Sequence, residues 1–141
     1  MQIKALALFL TAVLLLTLTS CFVTSRDTHV SISCEEFAEN PTGIRNDFTV
    51  EPGDKIYVEL CSNPSTGFEW SYQMSVQGVV NEEDHDYEES ENDQPGAAGK
   101  DLWTFEGASP GTTVISMAYS QPWEGGTKGE WTYDINVTVE Q

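Results

Sequence analysis

Apolar residues alternate with polar ones along most of this chain, and the period is that of strands. The last segment is the clearest: Trp131, Tyr133, Ile135, Val137 and Val139 fall on one face and polar residues on the other. Ile56, Val58 and Leu60 share a face within 55–61, and Asp47 to Val50 reads as a strand before it. Glu51-Pro52-Gly53-Asp54 joins the two, with proline then glycine at the centre, the composition of a type II turn. Phe68, Trp70 and Tyr72 alternate with Glu69 and Ser71 over 67–73. His29 to Ile32 begins to alternate, Ser75 to Val80 is a short apolar piece, and Leu102 to Phe105 is a further strand. Pro110-Gly111 then turns the chain into Thr112 to Tyr119. Beyond the N-terminal segment the one helical signal is a short turn over 34–39, closed by Asn40-Pro41-Thr42-Gly43. About seven short strands separated by turn signals predict an all-β fold, an immunoglobulin-like antiparallel β-sandwich. Trp70, Trp103, Phe105, Tyr119 and Trp131 are assigned to its core.

The pattern fails in two places. Residues 81–93 hold eight carboxylates in thirteen positions and no apolar period beyond Tyr87, which predicts a solvated, mobile connection between strands. Residues 1–20 carry Lys4 and then an uncharged apolar run from Ala5 to Leu18, too short to span a membrane and followed by small residues. This reads as a secretory signal peptide. Its ending, Leu18-Thr19-Ser20-Cys21, resembles the lipobox of prokaryotic lipoproteins, which implies a lipidated Cys21 at the mature N-terminus. Ordinary cleavage near Ser20, leaving Cys21 a free thiol, is the alternative. The expected organisation is a lipoprotein signal peptide over 1–20, a lipidated tether and first strand over 21–33, and one domain over 34–141. The expected place is extracytoplasmic, membrane-anchored, at the cell surface or on the periplasmic side. The roughly 120 mature residues suffice for one domain with a real core.

Export changes the reading of the cysteines. Cys34 and Cys61 are an even pair without CxxC spacing, which points to a disulfide rather than to metal, with two buried free thiols as the alternative. Closing that loop stabilises the fold by about 3 kcal/mol. Loss of Lys4 with the leader takes the formal charge from −17 to about −18. Such a charge repels nucleic acid and anionic headgroups, so nucleic acid is excluded as a partner.

Chemistry is not indicated. The two histidines, His29 and His85, lie far apart, without a nucleophile signature beside either, so no enzyme is expected. Asp84, Asp86 and Glu88 alternate like oxygen ligands, but an EF-hand loop would need glycine and glutamate where Glu89 and Pro95 stand. No metal site and no cofactor are expected. The sequon Asn136-Val137-Thr138 lies on a strand and is treated as accidental.

Three loops remain. Asn63-Pro64-Ser65-Thr66-Gly67 is a stiff turn: proline fixes φ, two hydroxyls can bond local backbone, and Gly67 admits positive φ. Pro95-Gly96-Ala97-Ala98-Gly99 lacks bulky side chains, so its backbone can approach another surface. Gln121-Pro122-Trp123-Glu124-Gly125-Gly126 sets a tryptophan in a turn, and exposed tryptophan is a favoured binding anchor.

Asn-Pro-Ser-Thr-Gly-Phe, a glycine-rich loop before Trp-Thr-Phe, and Pro-Trp-Glu after a strand ending in tyrosine together resemble the chagasin family of cysteine-protease inhibitors. The resemblance covers about Asp47 to Val139. It implies an immunoglobulin-like sandwich whose three loops wedge reversibly into the active-site cleft of papain-like cysteine proteases. On this resemblance Asn63, Pro64, Ser65, Thr66, Gly67 and Phe68 form the central loop, Ser65 and Thr66 nearest the protease's catalytic cysteine and histidine. Gly96, Ala97, Ala98 and Gly99 would follow one wall of the cleft by backbone contact, and Gln121, Pro122 and Trp123 would pack on the other. Relatives usually carry threonine at Ser65, more glycine at Ala97 and Ala98, and arginine at Gln121. Losing that cation removes a charged hydrogen bond of about 1.5–3 kcal/mol where one forms. The rival readings are a non-inhibitory immunoglobulin-like binding or adhesion lipoprotein using the same loops, and a cation-binding surface lipoprotein centred on Asp84 to Glu91.

Overall fold

The computed structural model describes residues 26–92 and 94–141. The expected signal peptide over 1–20 and Cys21 lie outside the described residues. The chain forms β1 (Thr28–Ile32), α1 (Cys34–Glu39), β2 (Ile44–Val50), β3 (Lys55–Ser62), β4 (Glu69–Met74), β5 (Val80–Glu88), β6 (Gly99–Gly107), β7 (Gly111–Ser120) and β8 (Trp131–Val139). They make two four-stranded sheets, one ordered β1-β3-β6-β5 and the other β2-β8-β7-β4. The sandwich is therefore present with eight strands. Four of its pairings are antiparallel, but β1 with β3 and β2 with β8 are parallel. Alternation fixes which face a residue takes and is silent on strand direction.

The alternating sets meet between the sheets. Ile56, Val58 and Leu60 of β3 face Tyr133, Ile135 and Val137 of β8, all with no exposed surface. Phe105, Ile115 and Met117 fill the space between, while Trp131 is only partly buried. The turn after β2 has the expected form: Gly53 sits at φ 94° and the Asp54 N–H bonds the Glu51 carbonyl at 3.1 Å. Asp54 is buried there, its carboxylate accepting from Glu51 N–H at 2.8 Å and Arg26 N–H at 3.0 Å. Arg26 and Asp27 are thereby joined to the end of the sandwich where β3 begins.

The short helical turn is α1, capped by Ser33, whose Oγ accepts from Glu36 N–H. Its Phe37 is fully buried against Trp131 and Trp70, ring centroids 5.0 and 5.2 Å away. Cys34, at its start, is disulfide-bonded to Cys61 in β3, with Cα atoms 5.1 Å apart. The helix thus lids the aromatic end of the core and is covalently fastened there.

The first part of the acidic run, residues 81–88, is strand rather than a connection; the connection to β6 begins after Glu88. Val80 to Glu88 is the edge strand β5, paired antiparallel along β6. A bulge at Glu83 shifts its register, so Glu82, His85 and Tyr87 lie opposite Phe105, Trp103 and Asp101. His85 stacks on Trp103 at 3.5 Å and bonds Asp101 at 2.7 Å, while Glu82 accepts from the Tyr72 hydroxyl at 2.5 Å. Tyr72 belongs to the other sheet, so this bond closes the open flank of the sandwich. Burial first, and then the Glu82 carboxylate, push the Tyr72 hydroxyl up to about 12. Carboxylates along an edge strand also discourage pairing with another chain.

Candidate functional site

The turns after β3, β5 and β7 emerge at the same end of the sandwich, and Asn63 ties the first to the second and to the end of β7, from which the third leaves. Its N–H donates to the hydroxyl of Tyr119, on β7, at 2.8 Å. Its Nδ2 donates to the Gly96 carbonyl in the second loop at 2.9 Å. Its Oδ1 accepts from the N–H of Ser65 at 3.2 Å and from the Ser65 hydroxyl at 2.6 Å. Every polar atom of that side chain is used within the protein.

Pro64 to Thr66 forms one 3-10 turn, ended by Gly67 in the left-handed region at φ 77°. Thr66 donates its hydroxyl to the Asn63 carbonyl at 2.6 Å. Both hydroxyl protons of the tip are thus spent inward. Ser65 and Thr66 are exposed, so what they offer to a partner is acceptor lone pairs.

Aromatic rings form the pedestal beneath. Tyr119 stacks with Phe68 at 5.2 Å and Trp131 at 4.9 Å, and Trp70 lies 5.1 Å from it. The Trp70 indole donates to the Cys61 carbonyl at 3.0 Å. The disulfide and this bond both act two residues before Asn63, so the first loop is anchored at its root.

The second loop presents less than expected. Gly96 is exposed at φ 80°, but Ala97 and Ala98 are half-buried, and Ala98 packs on the core. Gly99, expected to follow the cleft wall by its backbone, opens β6 and is buried, and its lack of a side chain serves packing within the protein. A Cβ there would collide with the Glu88 carbonyl and come within 2.5 Å of the Tyr87 hydroxyl oxygen. A cleft of about 390 Å³ opens between the first two loops, lined by Pro64, Ser65, Tyr87, Gln94 and Pro95 among others.

In the third loop Pro122 is exposed and Trp123 is 49% exposed. The six-membered ring of the indole lies on Gly67: a Cβ built there would sit 2.5 Å from Cη2 and 3.0 Å from Cζ3. Gln121 is half-buried, its N–H and Oε1 pairing with Thr127 at 2.8 and 3.0 Å, so it closes the loop's base rather than facing outward. Phe68 likewise supports the face from below. The exposed set is Pro64, Ser65, Thr66, Gly96, Pro122 and Trp123.

His29 stacks on Tyr57 in the β1–β3 pair, away from His85. No group of three potential metal ligands occurs among the described residues.

A family model described as chagasin family peptidase inhibitor I42 matches residues 49–137, a span that holds all three loops. The chain belongs to the chagasin family of peptidase inhibitors. That family is made of inhibitors, not enzymes. Chagasin from Trypanosoma cruzi is 28% identical over 81 residues, which cover 55% of this chain and 74% of its own. The fold is that of the cysteine protease inhibitor EhICP2 from Entamoeba histolytica, with TM-score 0.65, 18% identity, and coverage of 83% of this chain and all of that one. PbICP-C, solved in complex with falcipain-2, aligns with TM-score 0.58 and 17% identity over 80% of this chain and 99% of its own. Strand β1, helix α1 and Cys34 fall outside the chagasin family match. The disulfide therefore joins a segment outside that match to the root of the first loop within it.

Proposed function

We propose that this chain inhibits papain-like cysteine proteases by seating its three loops as a wedge in the active-site cleft. The observation that carries the reading is the bonding of the loops into one ridge: Asn63 fastens the first to the second, and the Trp123 indole lies on Gly67 of the first. A ridge held this way loses little conformational freedom on docking, so a modest interface can bind tightly. It also offers no flexible scissile bond to the nucleophile. Ser65 and Thr66, with acceptors outward, complement the N–H donors of a protease's imidazolium and oxyanion hole. Chagasin membership supports an inhibitor, and the likeness to the cysteine protease inhibitor EhICP2 and to PbICP-C, solved with falcipain-2, favours the cysteine class.

Titration of papain with residues 22–141, disulfide intact, tests the proposal. Inhibition at submicromolar concentration with the inhibitor recovered uncleaved is the expected result, and Trp123→Ala should weaken it by about 30-fold or more. Undiminished inhibition by that variant sinks the wedge. We also propose that residues 1–20 are removed and that Cys21 carries lipid, presenting the domain outside the cytoplasm. Cys21→Ala should then move the protein from the detergent phase to the aqueous phase.

A further inference from the structure

Lys128 is a cation on the third loop of this face. It lies on the return arm of the third loop, exposed, five positions after Trp123. Its Nζ donates to the carbonyl of Trp123 at 3.1 Å and to the carbonyl of Gln121. These two carbonyls bracket Pro122, which has no N–H to help close the turn. Arg45 and Lys100, by contrast, pair with the carboxylates of Asp134 and Glu59 on neighbouring strands. The ammonium of Lys128 holds main chain instead, and it holds the residue that bears the exposed indole.

The rest of the loop grips that segment less directly. The Trp123 carbonyl also accepts from Gly126 N–H at 3.2 Å, and Gln121 pairs with Thr127 at the base. Gly125 and Gly126 follow after Glu124, with Gly125 at φ 78°. Without a clamp, the Pro122–Trp123 segment could tilt on the Gly125-Gly126 hinge and lift the indole from Gly67. Hydrogen bonds from a charged donor are about twice as strong as neutral ones, which suits this position.

We propose that Lys128 is a positioning residue of the loop face: it fixes Pro122 and Trp123 so that the indole is presented ready-made, lying on Gly67. As a statement about inhibition this rests on the wedge reading above; as a statement about the indole it does not.

Two measurements on the full domain separate the cases. In the free protein, the indole 1H–15N resonance of Trp123, assigned by its loss in Trp123→Phe, reports the order of the ring. Lys128→Met should lower its heteronuclear NOE, and Lys128→Arg, which can still span two carbonyls, should leave it near the parent value. Against papain, Lys128→Met should raise the inhibition constant about tenfold, through lost preorganisation. In the Trp123→Ala background the same substitution should change nothing further, because Lys128 acts through the indole. An unchanged NOE in Lys128→Met overturns the proposal. Equal losses in both backgrounds also overturn it, since Lys128 would then contribute its own contact or charge. If the parent protein does not inhibit papain, the wedge reading fails, and the NOE comparison alone decides the positioning role.

Discussion

Replacing Gly67 with alanine should separate stability from inhibition. Gly67 is left-handed at φ 77°, and a side chain there costs about 1–2 kcal/mol. The new methyl would also stand 2.5 Å from Cη2 and 3.0 Å from Cζ3 of Trp123. That ring is 49% exposed, so it can swing outward while the sheet beneath stays in place. The stability loss should therefore stop at the backbone cost, a fall in Tm of about 4–8 °C. A domain of ordinary stability, about 5–15 kcal/mol, remains folded after such a loss, so unfolding cannot itself weaken inhibition. Displacing the indole removes the one large exposed ring of the face, worth about 2 kcal/mol or more, or about 30-fold in the inhibition constant. Calorimetry and papain titration on one preparation read both quantities. A variant with the lower Tm but the parent's inhibition constant would refute the idea that the indole works from its seat on Gly67.

Other outcomes follow from separate parts of the structure. Gly99→Ala should lower stability by about 1–3 kcal/mol in a denaturant melt, because Tyr87 and the Glu88 carbonyl occupy the space; the inhibition constant of the folded fraction should stay the same. The Cys34→Ala, Cys61→Ala double variant should lose about 3–4 kcal/mol relative to the oxidised parent, a Tm fall of roughly 10–15 °C, and the reduced parent should fall by about as much. Burial raises the hydroxyls of Tyr72 and Tyr133, Tyr72 to about 12. The unfolded chain ionises them near pH 10 while the folded one resists, so their contribution is intact below about pH 10 and falls away as pH rises toward 12. Unfolding followed from pH 8 to 12 should show this decline, shallower in Tyr72→Phe; a flat profile would contradict it.

The strands of the core were legible because hydrophobic alternation and burial coincide. Trp131 to Val139 and Ile56 to Leu60 sit as their pattern requires. The edge strand β5 was not legible: seven of its nine residues are exposed, and its pairing with β6 is a tertiary fact. Among its inward residues Glu82 finds the Tyr72 hydroxyl, and His85 finds Asp101 and the face of Trp103, so polar side chains stand where alternation looks for apolar ones. The exposed tip of each loop was readable from turn chemistry at Gly67, Gly96 and Pro122. The inward half was not legible where a glycine packs against main chain, as at Gly99, and where polar side chains close a loop, as at Gln121. Lys128 was missed because its partners are carbonyls, and a sequence does not display where carbonyls point.

The parallel pairing of β1 with β3 has a consequence for presentation. Thr28 lies beside Ile56, near the start of β3, and Arg26 and Asp27 are tied to Asp54 and Lys55. The polypeptide therefore joins the sandwich at its foot, and the eight residues of β3 carry it about 26 Å to the loops. Had β1 run the other way, the same leader would have met the domain beside the loops. With a lipid at Cys21, the seven steps to Thr28 reach at most about 25 Å. On the lipidation proposed above, the loops would be the part of the domain farthest along the chain path from the anchor, at most about 50 Å from it. An inhibitor so tethered would meet its protease in the aqueous layer next to the membrane.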